Sequence, residues 1–289
     1  MPHEIKPDDL KNWLPPRPRD SHKGDFGNVG ILGGAPGMAG AALLAGRAAL
    51  RLGAGRVYIG LLDDRLAFDP LAPELMVCSP DRLSSLSPPG CLVVGPGLGT
   101  DDNARSRLQT ALTTPLPLIL DADALNLIAA DAGLADQLRT RHAATLLTPH
   151  PGEAARLLAG DTDHVQADRT AALAELIARF GCGVILKGAG SLIGFPDRPT
   201  WLNTTGNPGM AAPGMGDVLA GMIAALAAQG LALEQAAVLA VHLHGAAGDR
   251  LAERLGGPIG LAAGEIADAA RQRLNEWVYP PDLQGAQKR

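Results

Sequence analysis

The residues best suited to chemistry gather in one stretch, 203–229, where a glycine- and proline-rich loop runs directly into an apolar helix. Pro208, Gly209, Pro213, Gly214 and Gly216 forbid regular structure up to the junction. One acid, Asp217, stands at the helix start. Beyond it Val218, Leu219, Met222, Ile223 and Leu226 share one helical face. Alanines and Gly221 keep the other faces small, so the spacing predicts a helix packed on several sides. The first turn of a helix carries unpaired N–H groups and about half a positive charge, which suits it to a phosphate. An aspartate there repels phosphate. It makes sense beside the phosphate as a base or a magnesium partner, or, more plainly, as a helix N-cap.

Other polar clusters recur at the ends of short apolar runs. Strands are predicted at 28–34, 56–60, 91–94, 118–120, 144–148 and 184–186, with 192–195 as a hairpin partner of the last. They end on Gly33-Gly34, on Gly95 to Gly99, on Asp121 to Asn126, on Pro149-His150-Pro151-Gly152-Glu153 and on Lys187 to Ser191. Helical patterns at 38–52, 101–112, 166–180, 233–254 and 262–275 alternate with them. Short buried strands alternating with helices imply an α/β protein, with a mostly parallel central sheet covered by helices on both faces. In such sheets ligands bind beyond the carboxyl ends of the strands, and six loops of suitable composition converge there. Each residue also has a plainer role. His150 could fix a turn, Lys187 could be a solvated strand end, and Asp121 and Asp123 could be helix caps, which for Asp121 is the favoured reading.

The 289-residue chain is 46% hydrophobic, 19% charged and only 3% aromatic, so its core must be built from Ala, Leu, Val and Ile. No linker divides it. Residues 1–20 read as a polar, proline-rich arm, 21–278 as one domain, and 279–289 as a tail. A net charge of −5 without a basic run argues against nucleic acid as a partner. Cys78, Cys91 and Cys182 lack metal spacing and read as buried hydrophobes. No stretch is long and apolar enough for a membrane, and the expected compartment is the cytoplasm. There is no Gly-Lys dipeptide and hence no P-loop, no Rossmann fingerprint, no G-x-S-x-G elbow and no H-E-x-x-H. His242 and His244, two apart on a helix, face different ways and read as structural.

A nucleotide-binding enzyme that holds phosphate by backbone amides remains. Gly214-Met215-Gly216-Asp217 resembles the signature of ribokinase-like kinases. Ser21-His22-Lys23-Gly24, the Gly95–Gly99 and Asp121–Asn126 runs, Thr148-Pro149-His150-Pro151-Gly152-Glu153, Leu186-Lys187-Gly188 and Gly206-Asn207-Pro208-Gly209-Met210-Ala211 narrow it. Together, over about residues 21–275, the chain is similar to the ADP/ATP-dependent NAD(P)H-hydrate dehydratase family. The resemblance implies a three-layer αβα, ribokinase-like fold and a repair reaction. The S epimer of hydrated NADH or NADPH is phosphorylated on its C6 hydroxyl, ADP being the expected donor over ATP. Loss of phosphate restores the dinucleotide. Carried onto this sequence, Asp217 is the base and also faces the substrate. Gly214, Met215 and Gly216 form the anion hole. Lys187, Gly188, Ala189, Gly190 and Ser191 contact the nucleotide, and Ala41, Gly97 and His150 face the hydrated dinucleotide. Asp123 and Asn126 stand where Mg2+ could be held. The resemblance also implies a homotetramer and a separate epimerase for the R hydrate.

The loop departs from the family pattern at Ala212 and Pro213, where a hydroxyl residue and glycine are expected. Pro213 removes one N–H donor. Two rivals share Asp217: a ribokinase-like kinase of a thiazole- or pyridoxal-type alcohol, and a nucleotide sensor without catalysis.

Overall fold

The computed structural model describes residues 2–85 and 90–280. The expected tail beyond Pro280 lies outside them. In chain order the elements begin with β1 (His3–Glu4), α1 (Pro7–Leu10), β2 (Asn28–Gly33), α2 (Ala39–Arg51), β3 (Arg56–Leu61), β4 (Met76–Cys78) and α3 (Pro80–Ser85). The middle runs β5 (Cys91–Val94), α4 (Asp102–Leu112), β6 (Leu118–Leu120), α5 (Asp123–Ala130), α6 (Ala132–Arg139), β7 (Thr145–Leu147), α7 (Pro151–Leu158), α8 (Thr162–Ala167) and α9 (Arg169–Phe180). It closes with β8 (Gly183–Leu186), β9 (Ser191–Gly194), β10 (Trp201–Asn203), a 3₁₀ turn at Pro208–Met210, α10 (Met215–Ala228), α11 (Leu233–Leu255) and α12 (Ala263–Val278).

One ten-stranded sheet has the order β1-β10-β9-β8-β7-β6-β5-β2-β3-β4. Pairing is parallel from β8 through β4 and antiparallel at β8/β9 and β9/β10, so the expected hairpin is present. Side chains alternate between two cores, as the period of a strand requires. Ile31, Ile59, Val93, Ile119, Leu146 and Ile185 join the side chains of α2, α10, α11 and α12 on one face. Leu32, Leu92, Val94, Leu120, Leu147 and Leu186 join those of α4 to α7 and α9 on the other. The three-layer αβα architecture follows. Residues 1–20 do not stand apart from it. β1 pairs in parallel with β10, and Ile5 and Leu10 are buried in the main core.

The strand order matters for the site. From β2 the chain winds outward to β3 and β4, then returns to lay β5 on the other side of β2. The order thus reverses between β2 and β5, the point on the carboxyl edge where open parallel sheets commonly hold their ligands in a crevice. α10 lies across this region against α2, and the two approach closely because their facing residues are small. A Cβ on Gly221 would stand 2.0 Å from the Ala45 carbonyl oxygen. Nothing there can yield except backbone. Gly221→Ala is expected to destabilise the protein by about 1–3 kcal/mol through overpacking, read as a lower denaturant midpoint with an unchanged slope.

Candidate active site

The polar strand-end loops meet at the first turn of α10. Gly214 is the N-cap residue, with φ +88°, and makes no side-chain cap hydrogen bond. A Cβ at Gly214 would stand 2.6 Å from Leu44 Cδ1, so glycine is required there by both conformation and space. Met215, Gly216 and Asp217 form the first turn, whose N–H groups have no intrahelical acceptors. Asp217 is therefore not the N-cap. Its carboxyl is half-buried inside the turn. Burial, then the neighbouring Asp121, pushes it up to about 7, against the pull of Lys187.

Lys187 ends β8 and reaches back across the sheet edge. Its Nζ lies 2.7 Å from Asp121 Oδ1 and 3.8 Å from Glu153 Oε2. Only 19% of its side chain is exposed, so it is not a solvated strand end. Burial works against its charge, but Asp121 and Glu153 outweigh that and hold the ammonium above its ordinary value. A Cβ on Gly216 would stand 3.1 Å from Lys187 Nζ and 3.4 Å from Asp121 Oδ2, so this ion pair abuts the α10 turn directly. Asp121 is not a helix cap either. The N-cap of α5 is Ala122, while Asp121 Oδ1 also accepts from Thr148 Oγ1 at 2.8 Å. Glu153 is buried, which raises its carboxyl, with Lys187 opposing.

His150 does fix a turn. Its Nδ1 accepts from the Gly152 N–H at 3.0 Å, and Glu153 Oε2 accepts from the His150 N–H at 2.7 Å, a reciprocal cap on α7. That bond assigns the ring proton to Nε2, on a side chain that is half exposed on the rim. Burial, then Lys187 and Arg156, keeps the imidazole below its ordinary value and thus neutral at pH 7. Gly97, at φ +57°, packs against α2. A Cβ there would stand 2.5 Å from the Met38 carbonyl and 3.2 Å from Ala41 Cβ. The Gly34 and Ala35 N–H groups donate to the Pro96 and Gly97 carbonyls, which stitches the ends of β2 and β5 together. Ala41 and Gly97 thus lie side by side at the point where strand order reverses.

The β8–β9 turn holds Lys187 to Ser191. Gly188 at φ +142° and Gly190 at φ +67° shape it, and Ser191 Oγ accepts from the Gly188 N–H and donates to its carbonyl. Arg169, not foreseen from the sequence, braces this turn from behind. Its guanidinium donates to the Leu186, Lys187 and Gly190 carbonyls at 3.0 to 3.4 Å. His244 was also missed as a neighbour of the site. It is buried on α11, has a backbone hydrogen bond with Met215, and is driven down to about 4 chiefly by burial. It is neutral and supports the α10 turn from within the core, in keeping with a structural role.

Asp123 Oδ2 accepts from the Gly99 N–H at 2.8 Å, and Asn126 Nδ2 approaches its Oδ1 at 3.5 Å. Asn126 Oδ1 accepts from Arg156 at 3.0 Å. Among the described residues no group of three or more His, Cys, Asp or Glu side chains could hold a metal alone. With Asn126 Oδ1 engaged by Arg156, Asp123 is the available protein ligand, which suits an ion such as Mg2+ that keeps most of its waters and binds through one or two carboxylates plus substrate phosphates. A cavity lined by Leu14, Arg17, Phe26 and Gln229 lies at the far end of α10 and takes no part in this rim.

Comparison with known proteins points the same way. The family model described as NAD(P)H-hydrate dehydratase matches residues 29–271. The ADP-dependent (S)-NAD(P)H-hydrate dehydratase of Neisseria meningitidis is 46% identical over 268 residues, 90% of this chain and 88% of that one. The bifunctional NAD(P)H-hydrate repair enzyme of Coxiella burnetii is 42% identical, but the match covers 91% of this chain and 53% of the longer relative. The crystal structure of the ADP/ATP-dependent NAD(P)H-hydrate dehydratase from Bacillus subtilis, co-crystallized with ATP/Mg2+, has a TM-score of 0.83 and 30% identity. It covers 96% of this chain and 98% of that one.

The burial of Asp217 has a consequence for stability. A carboxyl at about 7 when folded, against 3.8 ordinarily, holds its proton more tightly in the folded state. Stability is therefore lost as pH rises from about 4 through 7, and below that range there is no penalty. Asp217→Asn is expected to melt above the wild type at pH 8 and level with it near pH 4. Equal differences at both pH values would contradict the buried carboxyl.

Proposed function

The chain belongs to the NAD(P)H-hydrate dehydratase family, and we propose that it removes water from the S epimer of hydrated NADH or NADPH with ADP as phosphoryl donor. AMP, phosphate and the restored dinucleotide are the products. The observation that carries this reading is the Asp217 carboxyl, poised at about 7 within the amide-rich first turn of α10.

Asp217 takes the proton of the C6 hydroxyl as that oxygen attacks the β-phosphorus of ADP. The P–O bond to AMP breaks, and AMP departs with the bond's electron pair. The N–H groups at Gly214, Met215 and Gly216 face the transferring group and stabilise its charge. Phosphate then leaves with the C6–O electron pair while a proton leaves the neighbouring carbon, and the ring double bond returns. Hydroxide is a poor leaving group and phosphate a good one, so transfer precedes elimination. Lys187 through Ser191 hold the nucleotide. Ala41, Gly97 and His150 hold the hydrated ring in the crevice beside it. Asp123 and Asn126 would hold Mg2+, directly or through water, and the ion would neutralise phosphate charge. Neutral His150, its Nε2 held 3.4 Å from Glu153 Oε1, lines the substrate side of the rim without adding charge.

One stereocentre is phosphorylated, so the R hydrate must be converted elsewhere, and a separate epimerase activity is part of the proposal. So are a homotetramer and a cytoplasmic location, on the strength of the family likeness. No helix among the described residues is long and apolar enough to cross a membrane.

Incubation of the protein with ADP, Mg2+ and hydrated NADH is expected to restore absorbance in the reduced-nicotinamide band. No recovery, with phosphorylation of a thiazole- or pyridoxal-type alcohol instead, would identify a small-alcohol kinase. Asp217→Ala should lower kcat by about 10²–10⁴-fold, the usual contribution of a positioned base, and keep nucleotide binding. Full activity in that variant would leave only a binding role. In the wild type, kcat/KM should climb with pH through about 7 as Asp217 loses its proton.

A further inference from the structure

The loop of residues 204–214 must present its backbone to phosphate, yet its own composition gives it little means of holding a shape. Pro208 and Pro213 lack N–H groups, and Gly206, Gly209 and Gly214 have no side chains. Its anchor lies 42 residues further along the chain, on α11. Asp249 Oδ2 accepts from the Gly206 N–H at 2.8 Å, and Asp249 Oδ1 accepts from Asn207 Nδ2 at 3.0 Å. The remaining oxygen of Asn207 accepts from the Gly209 N–H at 3.0 Å and caps the 3₁₀ turn at Pro208–Met210. One carboxylate thus ties down a backbone amide and the side chain that shapes the next turn.

The α11 surface around Asp249 is made to receive this loop. Gly245 and Gly248 lie four residues and one residue before it. A Cβ at Gly245 would stand 2.2 Å from Thr205 Oγ1, and one at Gly248 would stand 2.4 Å from Met210 Sδ. The Thr205 hydroxyl also donates to the His242 carbonyl. Loop and helix are in backbone-level contact, and both oxygens of the carboxylate are engaged. Such charge-assisted bonds are roughly twice as strong as neutral ones. From Met210 only four residues separate this anchor from the first turn of α10, so a shift at Gly206–Asn207 passes to the amides facing phosphate.

We propose that Asp249, acting through Asn207 and the Gly206 amide, is a positioning residue for phosphoryl transfer. It rests on the reaction proposed above. Its role is to hold the phosphate-facing loop in register with the start of α10, so its loss lowers the rate of transfer more than it weakens nucleotide capture.

The test is a reciprocal exchange in the full chain: Asp249→Asn, Asn207→Asp, and both together. The first single variant leaves one donor facing an amide N–H. The second sets two carboxylates against each other. In the double variant the amide now on α11 accepts from the Gly206 N–H and donates to the carboxylate now on the loop, which still caps Gly209. All three hydrogen bonds return with their chemistry exchanged.

Each single variant is expected to lower kcat by about 10–100-fold, the range for a small misplacement of aligned groups, with a smaller change in KM for ADP. The double variant recovers most of that loss. Rates are taken per folded molecule, well below all thermal midpoints. Singles at the wild-type kcat, a double no better than the worse single, or a loss confined to the folded fraction would each overturn the role. A wild type inactive on hydrated NADH would instead count against the reaction. The same four proteins would then be compared by amide hydrogen exchange across residues 204–214, where faster exchange in the singles and recovery in the double sustain the tether and unchanged exchange refutes it.

Discussion

One ammonium group among buried carboxylates governs the electrostatics of this site. Lys187 is in contact with Asp121 and close to Glu153, and it also acts on Asp217. An anion-binding hollow lined with acids would repel its own ligand if every acid were ionised. Here that conflict is reduced in two ways. Lys187 stays charged, and burial drives Asp217 toward its neutral form near physiological pH. A nucleotide phosphate therefore meets less negative charge than the residue count suggests. In the proposed reaction the same partial neutralisation makes Asp217 a usable base, since a group poised near the working pH accepts a proton readily and gives it up again.

That arrangement depends on how closely backbones can approach. α10 can press on α2 because Gly221 has no side chain. Gly216 leaves room for Lys187, and Gly214 takes the left-handed conformation that starts the helix. Where β2 and β5 end, Gly33 lies so close to the Pro96 carbonyl that a Cβ would stand 2.1 Å away. The proposed phosphate site is built largely from backbone, so its shape depends on where side chains are absent. This explains why few side chains in the motif look catalytic and why Asp217 is conspicuous among them.

Much of this was legible in the sequence. The alternation of short apolar runs with helical patterns implied the layer architecture that is seen, and the strand-end loops around Asp121, Glu153 and Lys187 do come together at one edge of the sheet. Shorter elements were not legible. β4 and β10 have three residues each and no buried apolar side chain, too little for a periodic signal. α7 begins inside Pro149-His150-Pro151-Gly152-Glu153, which reads as a turn. Pro151 at the first helical position and the His150–Glu153 cap make it a helix start instead. The N-terminal segment looked like an arm because a two-residue strand has no pattern to detect. Within the site, Asp121 was read as a cap because its partners, Thr148 and Lys187, are 27 and 66 residues away. No local spacing reveals a partner at that range. Arg169 and Asp249 were missed for the same reason, since each acts on a loop that the fold alone brings near.

Pro213 marks the point where sequence and geometry constrain each other most. Its missing N–H subtracts one donor from the loop, which raises the question of how an amide-lined hollow tolerates it. The residues that follow provide the answer. The helix begins at Met215, capped by Gly214, and its first turn offers the N–H groups of Met215, Gly216 and Asp217 whatever precedes them. Proline's fixed φ also narrows the conformations open to the short link between the 3₁₀ turn and α10. A position that contributes no hydrogen bond thus limits where its neighbours can stand. For a site in which small displacements of aligned groups carry large rate costs, that restriction compensates for the donor it removes.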